Sequence, residues 1–150
     1  MKATELFQLR PYGATVIFTD GTPKPPARHT KKVQAWENRN NRGLFVGVSE
    51  PSKWDGGGFQ LQMLDSDVLV MNRLFSNESQ LEFAVELPAP GTIMSYSQYE
   101  DKIEVAHVWK SMEAAKEWAQ RKSYDLFNHG RKLWIVGESG VLEPLTSSAA

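Results

Sequence analysis

Apolar and polar residues alternate with period two over much of the chain. Leu81, Phe83, Val85 and Leu87 are separated by Glu82, Ala84 and Glu86, and Phe59, Leu61 and Met63 by Gln60 and Gln62. Such alternation sends one set of side chains to each face of a strand, so both runs predict half-buried β-strands. Ala14 to Thr19, Leu44 to Val48, Val68 to Arg73, Thr92 to Tyr96, Ile103 to Val108 and Leu133 to Val136 are further strand candidates. One-sided alternation suits an antiparallel sheet with one wet face, whereas strands of a parallel sheet read as continuous apolar runs. The links between 43 and 108 are turn-like, among them Asp55-Gly56-Gly57-Gly58, Ser76-Asn77-Glu78 and Pro88 to Gly91. Crossover helices do not fit in them, which predicts hairpins or a meander.

Two segments have helical spacing. Ser111 is placed to cap a helix over about 112–122, with Met112, Ala115, Trp118 and Ala119 on the apolar face and Glu113, Glu117 and Gln120 opposite. Glu117 and Arg121 make a favourable i,i+4 pair on it. A second helix is expected after Pro25-Pro26, from about Ala27 to Asn38, followed by a loop over Asn38 to Gly43. The expected fold is α+β: a mainly antiparallel sheet of roughly six to eight short strands with two helices packed against it. No internal repeat or linker divides the chain, so residues 1–150 read as a single domain, with a frayed tail at about 146–150.

Composition adds little beyond a class. A chain of 150 residues with 41% hydrophobic and 23% charged residues is ordinary for one globular domain. It has no cysteine, which removes disulfides, thiolate metal sites and cysteine nucleophiles, and favours a cytoplasmic location. Met1 to Arg10 lacks a signal-peptide core, and no apolar run is long enough to span a membrane, so no membrane partner is expected.

The net charge of -1 hides a segregation: residues 1–50 hold eight Lys or Arg against four Asp or Glu, and residues 51–110 hold four against nine. Arg28, Lys31, Lys32 and Arg39 fall within a sector about 100° wide on an ideal helix. Trp36 faces inward from it, and Arg42 follows in the loop. Such a stripe suits an acidic protein surface or a nucleic-acid backbone, and it is also what a plain solvated face looks like. Asn38, Asn40 and Asn41 could add hydrogen bonds to phosphate or base edges. On the acidic side, Glu82 and Glu86 share one strand face, with Glu100, Asp101 and Glu104 farther on. If those strands were neighbours, the open sheet face would be acidic, and self-association of basic helix on acidic sheet would be conceivable.

Catalytic and metal readings find little footing. Gly137-Glu138-Ser139-Gly140 has the wrong spacing for a nucleophile elbow. His29, His107 and His129 are scattered, and Asp65-Ser66-Asp67 lacks the other ligands of a calcium loop. The Asp55 to Gly58 glycines precede a strand rather than the helix a phosphate loop needs, so they read as a hairpin loop. Trp54 beside them is expected to be exposed, a candidate contact residue. No catalytic residue, metal ligand or cofactor is assigned.

The run from Phe18 to His29, continued by Lys31-Lys32 and Ala35-Trp36-Glu37, resembles a stretch in uncharacterised small proteins of proteobacterial plasmids and integrated mobile elements; Pro88 to Thr92 is similar too. The resemblance implies a bacterial accessory protein and carries no catalytic motif. The expected function is non-enzymatic binding of a protein partner through Arg28, Lys31, Lys32, Arg39 and Arg42, with Trp54 as an apolar contact. The alternatives are nucleic-acid binding by the same stripe and a small enzyme with a carboxylate-lined cleft.

Overall fold

Three helices and nine strands form among the described residues of the protein, which in this computed structural model are 1–63, 72–99, 102–109, 111–120, 131–137 and 142–144. The chain divides into two compact units, Met1–Glu86 and Leu87–Ala150. The first contains α1 (Ala3–Leu9), β1 (Thr15–Thr19), α2 (Thr30–Glu37), β2 (Asn41–Ser49), β3 (Gly58–Met63), β4 (Asn72–Ser76) and β5 (Glu82–Glu86). The second contains β6 (Ile93–Tyr99), β7 (Lys102–Trp109), α3 (Met112–Gln120), β8 (Arg131–Val136) and β9 (Leu142–Pro144). The fold class is α+β, and every strand pairing is antiparallel.

In the first unit the strands run in the order β4-β3-β2-β1-β5, a four-strand meander with β5 returning beside β1. Alternation places Phe18, Phe45, Phe59, Phe75 and Phe83 in one core with Leu61 and Val16. A flat five-stranded sheet would hold its edge strands roughly 19 Å apart. Yet the rings of Phe75 on β4 and Phe83 on β5 lie 5.9 Å apart, and those of Phe59 and Phe83 lie 5.3 Å apart. The sheet is therefore curled, with its apolar face inside the curl. A bulge between Phe45 and Gly47 on β2 bends it further. Where β3 presses on β4, Gly58 leaves no room for a side chain: a Cβ there would overlap the Phe75 carbonyl oxygen. Helix α1 adds Ala3 and Leu6, both fully buried, to the same core.

The second unit has the order β7-β6-β8-β9. Ser111 caps α3 as its sequence predicts, its Oγ accepting the Ala114 N–H at 3.2 Å. Ala115 is buried, and the half-buried Trp118 ring lies 6.1 Å from that of Trp109. Tyr96 stacks on Trp134 at 3.7 Å, and the buried Ser95 Oγ accepts the Trp109 indole N–H at 2.9 Å.

Several expectations shift. The strands form two sheets rather than one. The segment expected as a loop after Asn38 becomes strand from Asn41, because Asn41 and Arg42 pair with Phe18 and Ile17 of β1. Helix α2 covers Thr30–Glu37 only and buries none of its residues, so it is an appendage on the sheet rather than a layer of it. Helix α1 was not anticipated, since seven residues carry too little periodicity to register. Glu82 and Glu86 lie on β5 and Glu104 on β7, in different sheets, so no common acidic sheet face is formed by them. Val68 to Met71, Asp65-Ser66-Asp67, Glu100, Asp101, Arg121, His129, Glu138 to Gly140 and the tail from Leu145 lie outside the described residues. No helix among the described residues is long and apolar enough to cross a membrane.

Candidate functional site

Taken alone, α2 is a poor helix. It has eight residues, no side-chain cap at His29, no buried side chain, and Lys31 and Lys32 in its first turn, where the helix dipole disfavours cations. What holds it is a set of polar tethers to the sheet. Trp36 Nε1 donates to the Thr22 carbonyl at 2.9 Å, and Asn40 Nδ2 donates to the Trp36 carbonyl at 2.9 Å. On the other side, Arg73 Nη1 of β4 donates to the Asn38 carbonyl at 2.6 Å. The Arg73 guanidinium lies over the rings of Phe75 (4.7 Å) and Phe18 (5.5 Å), and burial pulls its pKa below the usual arginine value.

Asn40 is the centre of the tether set. Its Oδ1 accepts from Thr19 Oγ1 at 2.6 Å and from the Asp20 N–H at 3.1 Å, while its Nδ2 also reaches Asp20 Oδ1 at 3.0 Å. All four of its hydrogen-bonding positions are thus engaged, as a buried amide requires. Asp20 also receives the Thr22 N–H at 3.0 Å and the Thr22 hydroxyl at 2.6 Å across the turn at Gly21, whose φ is +81°. The Thr22 hydroxyl and N–H, then Asn40, hold the Asp20 carboxyl down at about 2; the Arg39 charge contributes least.

Two open cavities flank α2. One, of about 370 Å³, is lined by Ile17, Phe18, Thr19, Trp36, Asn40, Asn41 and Arg42. The other, of about 400 Å³, is lined by Gln34, Glu37, Asn38, Asn41, Met63 and Arg73. Asn41 lines both, and Glu37 is the one carboxylate among these lining residues.

The predicted contact residues separate into three groups. Lys31 and Lys32 are exposed on α2, and Arg42 is exposed on β2 beside the first cavity; none of the three has an ion-pair partner among the described residues. Arg28 precedes the helix and donates from Nε to His29 Nε2 at 3.3 Å, and Arg39 follows it and pairs with Asp20 at 3.3 Å. The continuous helical stripe is therefore cut to its middle. Trp54 is 93% exposed on the β2–β3 loop. That loop is braced: Gly57 N–H donates to Asp55 Oδ1 at 3.0 Å and Asn77 N–H to the Gly57 carbonyl at 3.1 Å. Arg42 lies near the start of β2 and Trp54 on the loop past its end, with the stretch of strand from Arg42 to Ser49, roughly 20 Å long, between them in the chain.

Ile17 and Arg73 belong to the site without having been singled out in the sequence, and Asn40, expected as a contact to phosphate or base edges, is instead fully engaged within the fold. Ile17 could have been found: alternation on β1 leaves it opposite the buried Val16 and Phe18.

The residues from Met1 through this site fall within a family match. A family model described as uncharacterised conserved protein UCP036055 matches residues 1–129. The chain belongs to that family. No curated protein and no solved structure shows a significant match to it.

Proposed function

We propose that the protein is a non-enzymatic accessory protein that binds a partner protein through the face around α2. The observation that carries this reading is the juxtaposition of Lys31, Lys32 and Arg42, exposed and without ion-pair partners among the described residues, with an open cavity walled by Trp36 and Ile17. Interfaces concentrate their energy where aromatic and arginine side chains adjoin an apolar recess, and this face supplies all three. The scarcity of carboxylates in the two cavities favours binding over acid–base catalysis. In this reading the protein works in the bacterial cytoplasm, and the likeness of Phe18 to Glu37 to proteins of mobile elements favours a role there against or alongside host machinery.

Nucleic acid is the weaker reading. A phosphate track needs a run of available cations, whereas Asp20 engages Arg39 and the helix ends before it. Capture of partners by tagged protein from bacterial lysate, with and without nuclease, tests the choice. A stoichiometric protein that survives nuclease and is lost with Lys31→Glu/Lys32→Glu is the expected result. Nucleic acid recovered only without nuclease, and released by moderate salt, would replace the reading.

A further inference from the structure

We infer that the 370 Å³ cavity between Trp36 and the Ile17–Arg42 pair is a peptide groove, which takes an acidic segment of the partner protein carrying one aromatic anchor residue. The inference rests on the protein-binding reading and names the chemistry of the partner.

The size comes first. The cavity sits at the small end of ligand pockets, about 300–1,000 Å³, and is open to solvent. A helix is about 10–12 Å across with its side chains, so the recess suits a side chain or two of an extended segment instead. Its apolar walls are already in place. The Trp36 ring is fixed by the bond from its Nε1 to the Thr22 carbonyl, and Ile17, 36% exposed, stands on the paired backbone of β1. An anchor that enters here meets surfaces that lose little freedom on binding.

The polar groups around the recess set the charge of the occupant. Arg42 stands directly opposite Ile17 in the β1–β2 register and offers only donors. Asn41 uses its Oδ1 to accept the Arg42 N–H at 2.8 Å, and among the described residues its Nδ2 has no acceptor. Lys24 Nζ lies 5.9 Å from the centre of the Trp36 ring. The acceptor oxygens nearby are occupied, since Asn40 Oδ1 and the Asp20 carboxylate are held by Thr19, Thr22 and Arg39. Donors without available acceptors call for carboxylates. Cross-strand neighbours sit about 5 Å apart, so an anchor against Ile17 places the adjoining residues of an extended segment within reach of Arg42.

The test uses the full chain, ¹⁵N-labelled, and follows the Trp36 indole N–H and the Asn41 side-chain amide. The probes are the acetylated, amidated peptide Asp-Glu-Phe-Asp-Glu, its uncharged counterpart Asn-Gln-Phe-Asn-Gln, the anchorless Asp-Glu-Ala-Asp-Glu, and a single-stranded oligothymidylate. Saturable shifts at both groups are expected with the first peptide, weakened about tenfold by Arg42→Glu and about tenfold by loss of either charge or anchor. Arg42→Glu changes an exposed side chain, and an unchanged pattern elsewhere in the spectrum verifies that the fold is intact. Absence of saturable shifts, equal binding of the uncharged peptide, indifference to Arg42→Glu, or tighter binding of the oligonucleotide would each overturn the inference. A partner lost from lysate capture with Lys31→Glu/Lys32→Glu but retained with Arg42→Glu would leave the protein-binding reading standing and remove the groove from it.

Discussion

Asn40 and Asp20 bond to each other reciprocally: Asn40 Nδ2 donates to Asp20 Oδ1 at 3.0 Å, and Asn40 Oδ1 accepts the Asp20 N–H at 3.1 Å. This pair ties the turn after β1 to the start of β2, and through Trp36 it sets the position of α2. Asn40→Ala leaves the Thr19 hydroxyl and the Asp20 N–H without the acceptor they share and removes one of the donors to the Trp36 carbonyl, with an expected loss of about 2–3 kcal/mol in urea unfolding. Asn40→Asp keeps the shape but replaces two donors with a carboxylate facing Asp20. Its loss at neutral pH is expected to be at least as large and to shrink as acid protonates the new pair.

The Asp20 carboxyl, held at about 2 in the folded chain against an ordinary 3.8, makes stability depend on pH. Its folded pKa is depressed, so its contribution is present above the unfolded value and is lost as pH falls from about 4 to about 2. Asp20→Asn is expected to flatten unfolding free energy in that window. Because the Thr22 hydroxyl is the largest cause and Arg39 the smallest, Thr22→Val should raise the Asp20 pKa more than Arg39→Gln does. Carboxyl ¹³C titration by NMR reads both; the opposite ranking would show that charge, not hydrogen bonding, sets the value.

Two glycines separate packing from backbone strain. Gly58→Ala drives a methyl into the Phe75 carbonyl on the adjacent strand and is expected to cost at least about 3 kcal/mol, or to prevent folding. Gly21→Ala has open space around its Cβ but a φ of +81°, so only left-handed strain remains, about 1–2 kcal/mol. Thermal unfolding of the two variants should differ accordingly.

Arg73→Lys keeps the charge and loses the planar group that covers Phe18 and Phe75 while bonding the Asn38 carbonyl. A loss of about 1–2 kcal/mol is expected. Amide exchange should quicken in α2 more than in β1, because the helix depends on tethers and the strand on pairing at both edges. Equal quickening in both would mean that Arg73 serves the core and not the helix.

In the second unit, Ser95→Ala removes the acceptor of the Trp109 indole N–H from a fully buried position. The expected cost is about 1–3 kcal/mol, accompanied by a change in tryptophan fluorescence of the native state.

Patterns local to a few residues were legible without coordinates. The alternation at Phe59 to Met63 and Leu81 to Val85 specified strands and their buried faces, whereas Leu87, read as part of the same face, lies past the end of β5 and is exposed. Ser111 with Met112, Ala115 and Trp118 specified a capped helix, because a side chain's direction follows from its place in the local repeat. The exposure of Trp54 followed from its neighbours in the same way. Only the tertiary structure decided which strands share a sheet, that β4 and β5 curl together over the phenylalanines, and that Asn41 and Arg42 are strand. It also decided that Asp20 engages Arg39 while Arg42 stands available beside Ile17 and Trp36. Those outcomes depend on which segments meet across the chain, as Asp20 meets Asn40 twenty positions on, and no local repeat encodes which distant partner a polar side chain will meet.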